Sequence, residues 1–93
     1  MLVGTLHMVV VIGDARSLKD KRRVIKGLKD RVFNRFRVSV AEIGSNDAWQ
    51  KAELGFACVG SDSRHLNSVL SNVVSFVSSN PKIQLVDYEL EII

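Results

Sequence analysis

The apolar residues of this chain keep two different spacings in turn, and the order of those spacings limits the folds open to it more than any other feature. Residues 2–12 are rich in Val and Ile and close on the turn signal Gly13-Asp14. This marks a strand with Leu2, Leu6, Met8, Val10 and Ile12 on one face and Thr5 and His7 on the other. Ser17 then stands as an N-cap. The Asp20 carboxylate, three residues on, can reach back to a free N–H and favours the positive end of a helix dipole. A helix is predicted over 18–35, because Leu18, Val24, Ile25, Leu28 and Val32 fall on one stripe at about 100° per residue. From Phe36 the period returns to two, Val38 and Val40 alternating with Ser39 and Ala41 up to Ile43. The cluster Gly44-Ser45-Asn46-Asp47 turns the chain into a third strand over 51–59. Ser61-Asp62 caps a serine-rich second helix carrying Leu66, Leu70, Val73, Val74 and Val77, which Asn80-Pro81 ends. In the last strand, 83–93, Val86, Tyr88, Leu90 and Ile92 are expected on the core face, opposite Asp87, Glu89 and Glu91.

Strand, helix, strand, strand, helix, strand in 93 residues is the split β-α-β pattern. It predicts a single α+β domain over 1–93, a ferredoxin-like sandwich whose four-stranded antiparallel sheet carries both helices on one face. A chain of this length builds one core and buries about two thirds of the surface it exposes when unfolded. Its hydrophobic share of 46% and charged share of 25% exclude a disordered chain. The apolar stretch at 2–12 is about half of the roughly 20 residues a spanning helix needs, and basic residues follow rather than precede it. Neither a membrane segment nor a secretory signal is expected. One cysteine, Cys58, allows no internal disulfide and no cysteine metal cage, in keeping with a reducing, cytoplasmic setting.

Charge is spread unevenly. Residues 16–37 hold ten basic side chains against Asp20 and Asp30, a surplus of eight, while the rest of the chain has three basic and eight acidic residues, so that the whole carries +3. Lys19, Arg22, Arg23, Lys26 and Lys29 spread over the side of the first helix away from its apolar stripe, with Arg16 just before it. Such a row matches phosphates along a nucleic-acid backbone. The plainer reading is a solvated helix face with Asp30 partnering Lys26 or Arg23, but a surplus of eight in one segment exceeds what solubility needs. The sheet face away from the helices is expected to carry Glu53, Asp87, Glu89 and Glu91 in place of the exposed aromatics on which RNA-binding sheets stack bases. Val3, Val9, Val11, Ala57 and Val59 make the remainder of that face an apolar patch suited to another copy or another protein. Trp49, just past the turn, either anchors a partner or covers one end of the core, and the size of its ring favours the second.

Other candidate sites are thin. His7 could meet Glu89 or Glu53 across the sheet, yet it has no second imidazole or cysteine to complete a metal set. His65 reads as a surface residue and Cys58 as an inert buried thiol. The loop 13–17 puts Arg16 beside a helix N-terminus where an anion could sit, but a glycine-rich anion motif is absent. No nucleophile with its base, no metal, no cofactor motif and no small-molecule substrate is evident, so a binding domain is expected rather than an enzyme.

The run Ser17-Leu18-Lys19-Asp20-Lys21-Arg22-Arg23-Val24, with Asn34-Arg35-Phe36, Val38-Ser39-Val40-Ala41-Glu42, Asp47, Trp49-Gln50-Lys51-Ala52 and Leu54-Gly55, resembles the YlxP-like family of small bacterial proteins. Gly13 stands where many members carry proline. The resemblance implies a ferredoxin-like fold, no known activity, and genes that lie among those for translation and ribosome maturation. It thereby favours RNA, or a ribonucleoprotein such as the ribosome, as the partner of the basic helix. The rival expectation is a homo-oligomer formed through the open sheet face, with Val3, Val9, Val11 and Trp49 at the interface.

Overall fold

Six elements form in the expected order: β1 (Leu2–Val11), α1 (Leu18–Phe36), β2 (Ser39–Gly44), β3 (Lys51–Gly60), α2 (Ser63–Ser78) and β4 (Gln84–Ile92). The computed structural model describes residues 1–93. The strands pair antiparallel in the order β2-β3-β1-β4, and both helices cover one face, which is the ferredoxin-like α+β arrangement. β1 takes a central position because it is apolar on both faces. Its Leu6, Met8 and Val10 meet Ala52, Leu54 and Phe56 of β3 beneath Ile25, Leu28 and Val32 of α1 and Leu70, Val73 and Val77 of α2.

The helix ends follow from their caps. Ser17 Oγ accepts the Asp20 N–H at 3.1 Å, and Asp20 Oδ2 accepts the Arg16 N–H at 3.1 Å, one residue earlier than in the usual reciprocal capping box. α1 runs to Phe36, one residue beyond expectation. Arg37 closes it in the left-handed region (φ 57°), its N–H donating to the Phe33 carbonyl at 3.0 Å.

Three expectations need correction. In β4 the pairing with β1 slips by one residue between Val9 and Val10, so Leu85 stands opposite Val10 on the core face while Val86 is turned out, 57% exposed. An edge strand accommodates such a bulge without losing a second partner. Trp49 is also 57% exposed and covers no part of the core. Cys58 is half-buried rather than buried, and what burial it has pushes its thiol pKa up.

Candidate nucleic-acid interface

α1 buries Lys21, Ile25, Leu28 and Val32. At about 100° per residue this sets Lys19, Arg23 and Lys26 on the opposite side, with Arg22 and Lys29 on one flank and Arg31 on the other. Arg16, Lys19, Arg22, Arg23 and Lys26 are exposed and Lys29 is half-buried, where it borders a hollow shared with Ser39 and Val40 of β2. Five of the six therefore share an arc of about 120° over the outer side and one flank of α1, and Arg16 lies just before the helix. Lys26 Nζ donates to Asp30 Oδ2 at 2.9 Å; with both groups largely in solvent the pair contributes only a few tenths of a kcal/mol and opens readily to a competing phosphate.

One cation of the surplus is withdrawn from solvent altogether. Lys21 is fully buried, with its Nζ 3.0 Å from Glu42 Oε2 and donating to the Ser45 carbonyl at 2.6 Å. Glu42 Oε2 is itself buried and has no aligned hydrogen bond, so the ion pair is what compensates it. Both residues could have been found in the sequence. Position 21 falls between 18 and 25 on the apolar stripe of α1, and position 42 continues the inward parity of Val38 and Val40, so two opposite charges occupy inward places.

On the α2 side of α1 the structure assembles a groove of about 490 Å³ that the linear pattern does not display. Arg23, Gly27 and Arg31 of α1 form one wall; Phe76 of α2 and Asn80 and Lys82 of the following loop form the other. No carboxylate lines it. The Arg35 guanidinium lies 5.3 Å from the centre of the Phe76 ring and 5.6 Å from that of Phe36, which puts a further cation beside the groove. Lys82 lies far from the basic segment in sequence, and only the return of the α2–β4 loop beside α1 unites it with Arg23 and Arg31.

The opposite face of the sheet has the reverse character. Asp87, Glu89 and Glu91 stand opposite Val9, His7 and Thr5 along the β4 edge, and Val3, Val9 and Val11 are half-buried there. A shallow trough is floored by Gly55 and Ala57 and flanked by Ile43, His7, Glu89 and Glu91. Ile43, the extra residue of a second bulge, lies over Gly55 with a methyl 3.1 Å from where a β-carbon would be. His7 meets Glu53 rather than Glu89, Nε2 to Oε1 at 3.3 Å, and the Ser45 hydroxyl donates to Glu53 Oε2 at 2.7 Å. That hydroxyl holds the Glu53 carboxyl below its usual range, against a smaller upward effect of burial. Gly44 makes room for this carboxylate: a β-carbon there would lie 2.5 Å from Glu53 Oε2. No group of three His, Cys, Asp or Glu side chains converges anywhere. At the loop 13–17 the anion's place beside the helix N-terminus is taken by Asp20, and Asp14 lines the same hollow.

The fold and its charge define a small ferredoxin-like protein with a basic helical side and an acidic, partly apolar sheet side. The chain belongs to the family described as "Protein of unknown function (DUF503)", which matches residues 3–90. It is 40% identical over 83 residues to "Uncharacterized protein YlxP" of Bacillus subtilis (strain 168), an alignment that covers 89% of this chain and 90% of that relative. No helix of the structure is long and apolar enough to cross a membrane.

Proposed function

We propose that this protein is a non-enzymatic binding domain that engages RNA, alone or within a ribonucleoprotein, through the outer side of α1. The observation that carries this reading is the segregation of charge. Arg16, Lys19, Arg22 and Arg23 are exposed and free of carboxylate partners on their side chains, while Asp87, Glu89 and Glu91 line the far edge of the opposite face. A phosphate backbone is attracted to one side and repelled from the other, which fixes the orientation of encounter. RNA rather than DNA follows from the genomic company that the family resemblance implies.

Replacing Arg22, Arg23 and Lys26 together with glutamate keeps good helix formers at exposed positions, so stability should change by no more than about 1 kcal/mol. Association with RNA or ribosomal particles at about 50 mM salt should be abolished, and the Glu89→Gln/Glu91→Gln control should bind at least as well as wild type. Equal binding by wild type and the triple variant in a filter or anisotropy assay would contradict the proposal.

A second reading concerns the sheet side, where Val59 at 63% and Ile43 at 54% exposure flank the half-buried valines and suit a second copy of the chain. On this reading Val9→Lys converts a dimer to a monomer by light scattering with an unchanged circular dichroism spectrum; a monomeric wild type contradicts it.

A further inference from the structure

Gly27 lies in the middle of α1, where glycine is a poor helix former, and nothing in the fold demands it. Its φ is not positive, and a β-carbon built on it would meet only Arg31 Nη1 at 3.5 Å, an ordinary van der Waals distance. Alanine would fit and strengthen the helix. What glycine does provide is room, because its bare backbone forms part of the groove wall between Arg23, Arg31, Phe76 and Lys82. A missing side chain that packing does not require, in the wall of a groove, leaves room for close approach by something outside the chain.

The chemistry of the groove says what that is. Val24, Phe76 and Pro81 give it apolar walls, Arg23, Arg31 and Lys82 set three cations along it with no carboxylate among them, and its volume of about 490 Å³ is that of a small-ligand cleft. An apolar wall with an aromatic ring suits a planar base, and the cations suit the phosphates on either side of it. We infer that the groove between α1 and the α2–β4 loop receives one nucleotide of a single-stranded RNA, its base against Phe76 and Val24 and its flanking phosphates on Arg23, Arg31 and Lys82, and that Gly27 is glycine to admit it. This inference rests on the RNA-binding reading of α1 and goes further by naming the strandedness and the point of insertion. A duplex, whose bases are stacked and paired, has no nucleotide free to enter.

The test uses a fluorescent oligouridine of about eight nucleotides, a length within the usual span of single-strand sites, and measures anisotropy at about 50 mM salt. Gly27→Ala should melt about 2–6 °C higher than wild type and yet bind the oligonucleotide about fivefold or more weakly, a gain in stability with a loss of affinity that a purely structural glycine cannot produce. Arg31→Gln/Lys82→Gln should fold normally and lose about tenfold or more. A hairpin duplex of the same charge should compete poorly with the oligonucleotide on wild type. If the triple glutamate variant of the outer side loses binding while Gly27→Ala and Arg31→Gln/Lys82→Gln bind as wild type does, the groove inference is overturned and the basic-side reading stands. If wild type fails to bind the oligonucleotide but binds the hairpin, the groove inference falls and the basic-side reading stands; if it binds neither, both fall.

Discussion

Lys21 shows how a single residue can change the meaning of a charge pattern. In the sequence it is one of ten basic side chains in a surplus of eight; in the fold it is the largest fully buried side chain and is paired with Glu42 inside the molecule. Its removal leaves Glu42 Oε2, already short of hydrogen bonds, as an uncompensated buried charge. Lys21→Met is therefore expected to destabilise the protein by about 2–4 kcal/mol in urea unfolding, below the top of the range for fully buried pairs because Glu42 keeps 17% of its side-chain surface exposed. Adding Glu42→Leu should recover most of that loss, since replacing both charges with apolar groups removes the desolvation penalty along with the attraction. A Lys21→Met loss below about 0.5 kcal/mol would mean the pair is open in solution. The same ammonium reaches the Ser45 carbonyl, and Ser45 adopts a left-handed backbone (φ 58°), so Lys21 also pins the turn between β2 and β3.

At the level of elements, most of the fold was legible because period and caps agree. Ser17 and Asp62 both cap the helices they precede, and the apolar stripe of α1 faces the core as its spacing requires. What escaped was single-residue slippage. A bulge in an edge strand leaves no trace in an alternating pattern such as Leu85-Val86-Asp87-Tyr88, where either of the first two apolar residues can be the inward one. The structure chooses Leu85, which packs against the core opposite Val10. Leu85→Ala is accordingly expected to cost about 1–2 kcal/mol, and Val86→Ala less than about 0.5 kcal/mol. Thermal denaturation of the two variants distinguishes the bulged register from unbroken alternation, which predicts the reverse order. Trp49 escaped for a related reason: ring size predicts burial only where an element positions the ring over the core, and this one stands in a loop.

The whole molecule is electrically two-sided, and the division follows the layers of the fold. The helical layer carries the cations and the open sheet carries the acids. That segregation was visible in the sequence as a basic first helix and an acidic last strand. The groove was not, because Arg23, Arg31 and Lys82 meet only when the chain returns past α2, and Gly27 acquires significance only once its neighbours are known. Basic side and groove together offer Arg16, Lys19, Arg22, Arg23, Arg31 and Lys82 as six cations without carboxylate partners. The salt dependence of binding tests that arrangement most directly. Each phosphate contact on a single strand contributes about 0.7 to the slope of log affinity against log salt, so six contacts predict a slope of about −4, its magnitude falling by about 0.7 with Arg31→Gln and again with Lys82→Gln. A slope indistinguishable from zero would contradict the claim that this side of the molecule holds a phosphate backbone, and a steep slope that neither substitution alters would remove the groove from it.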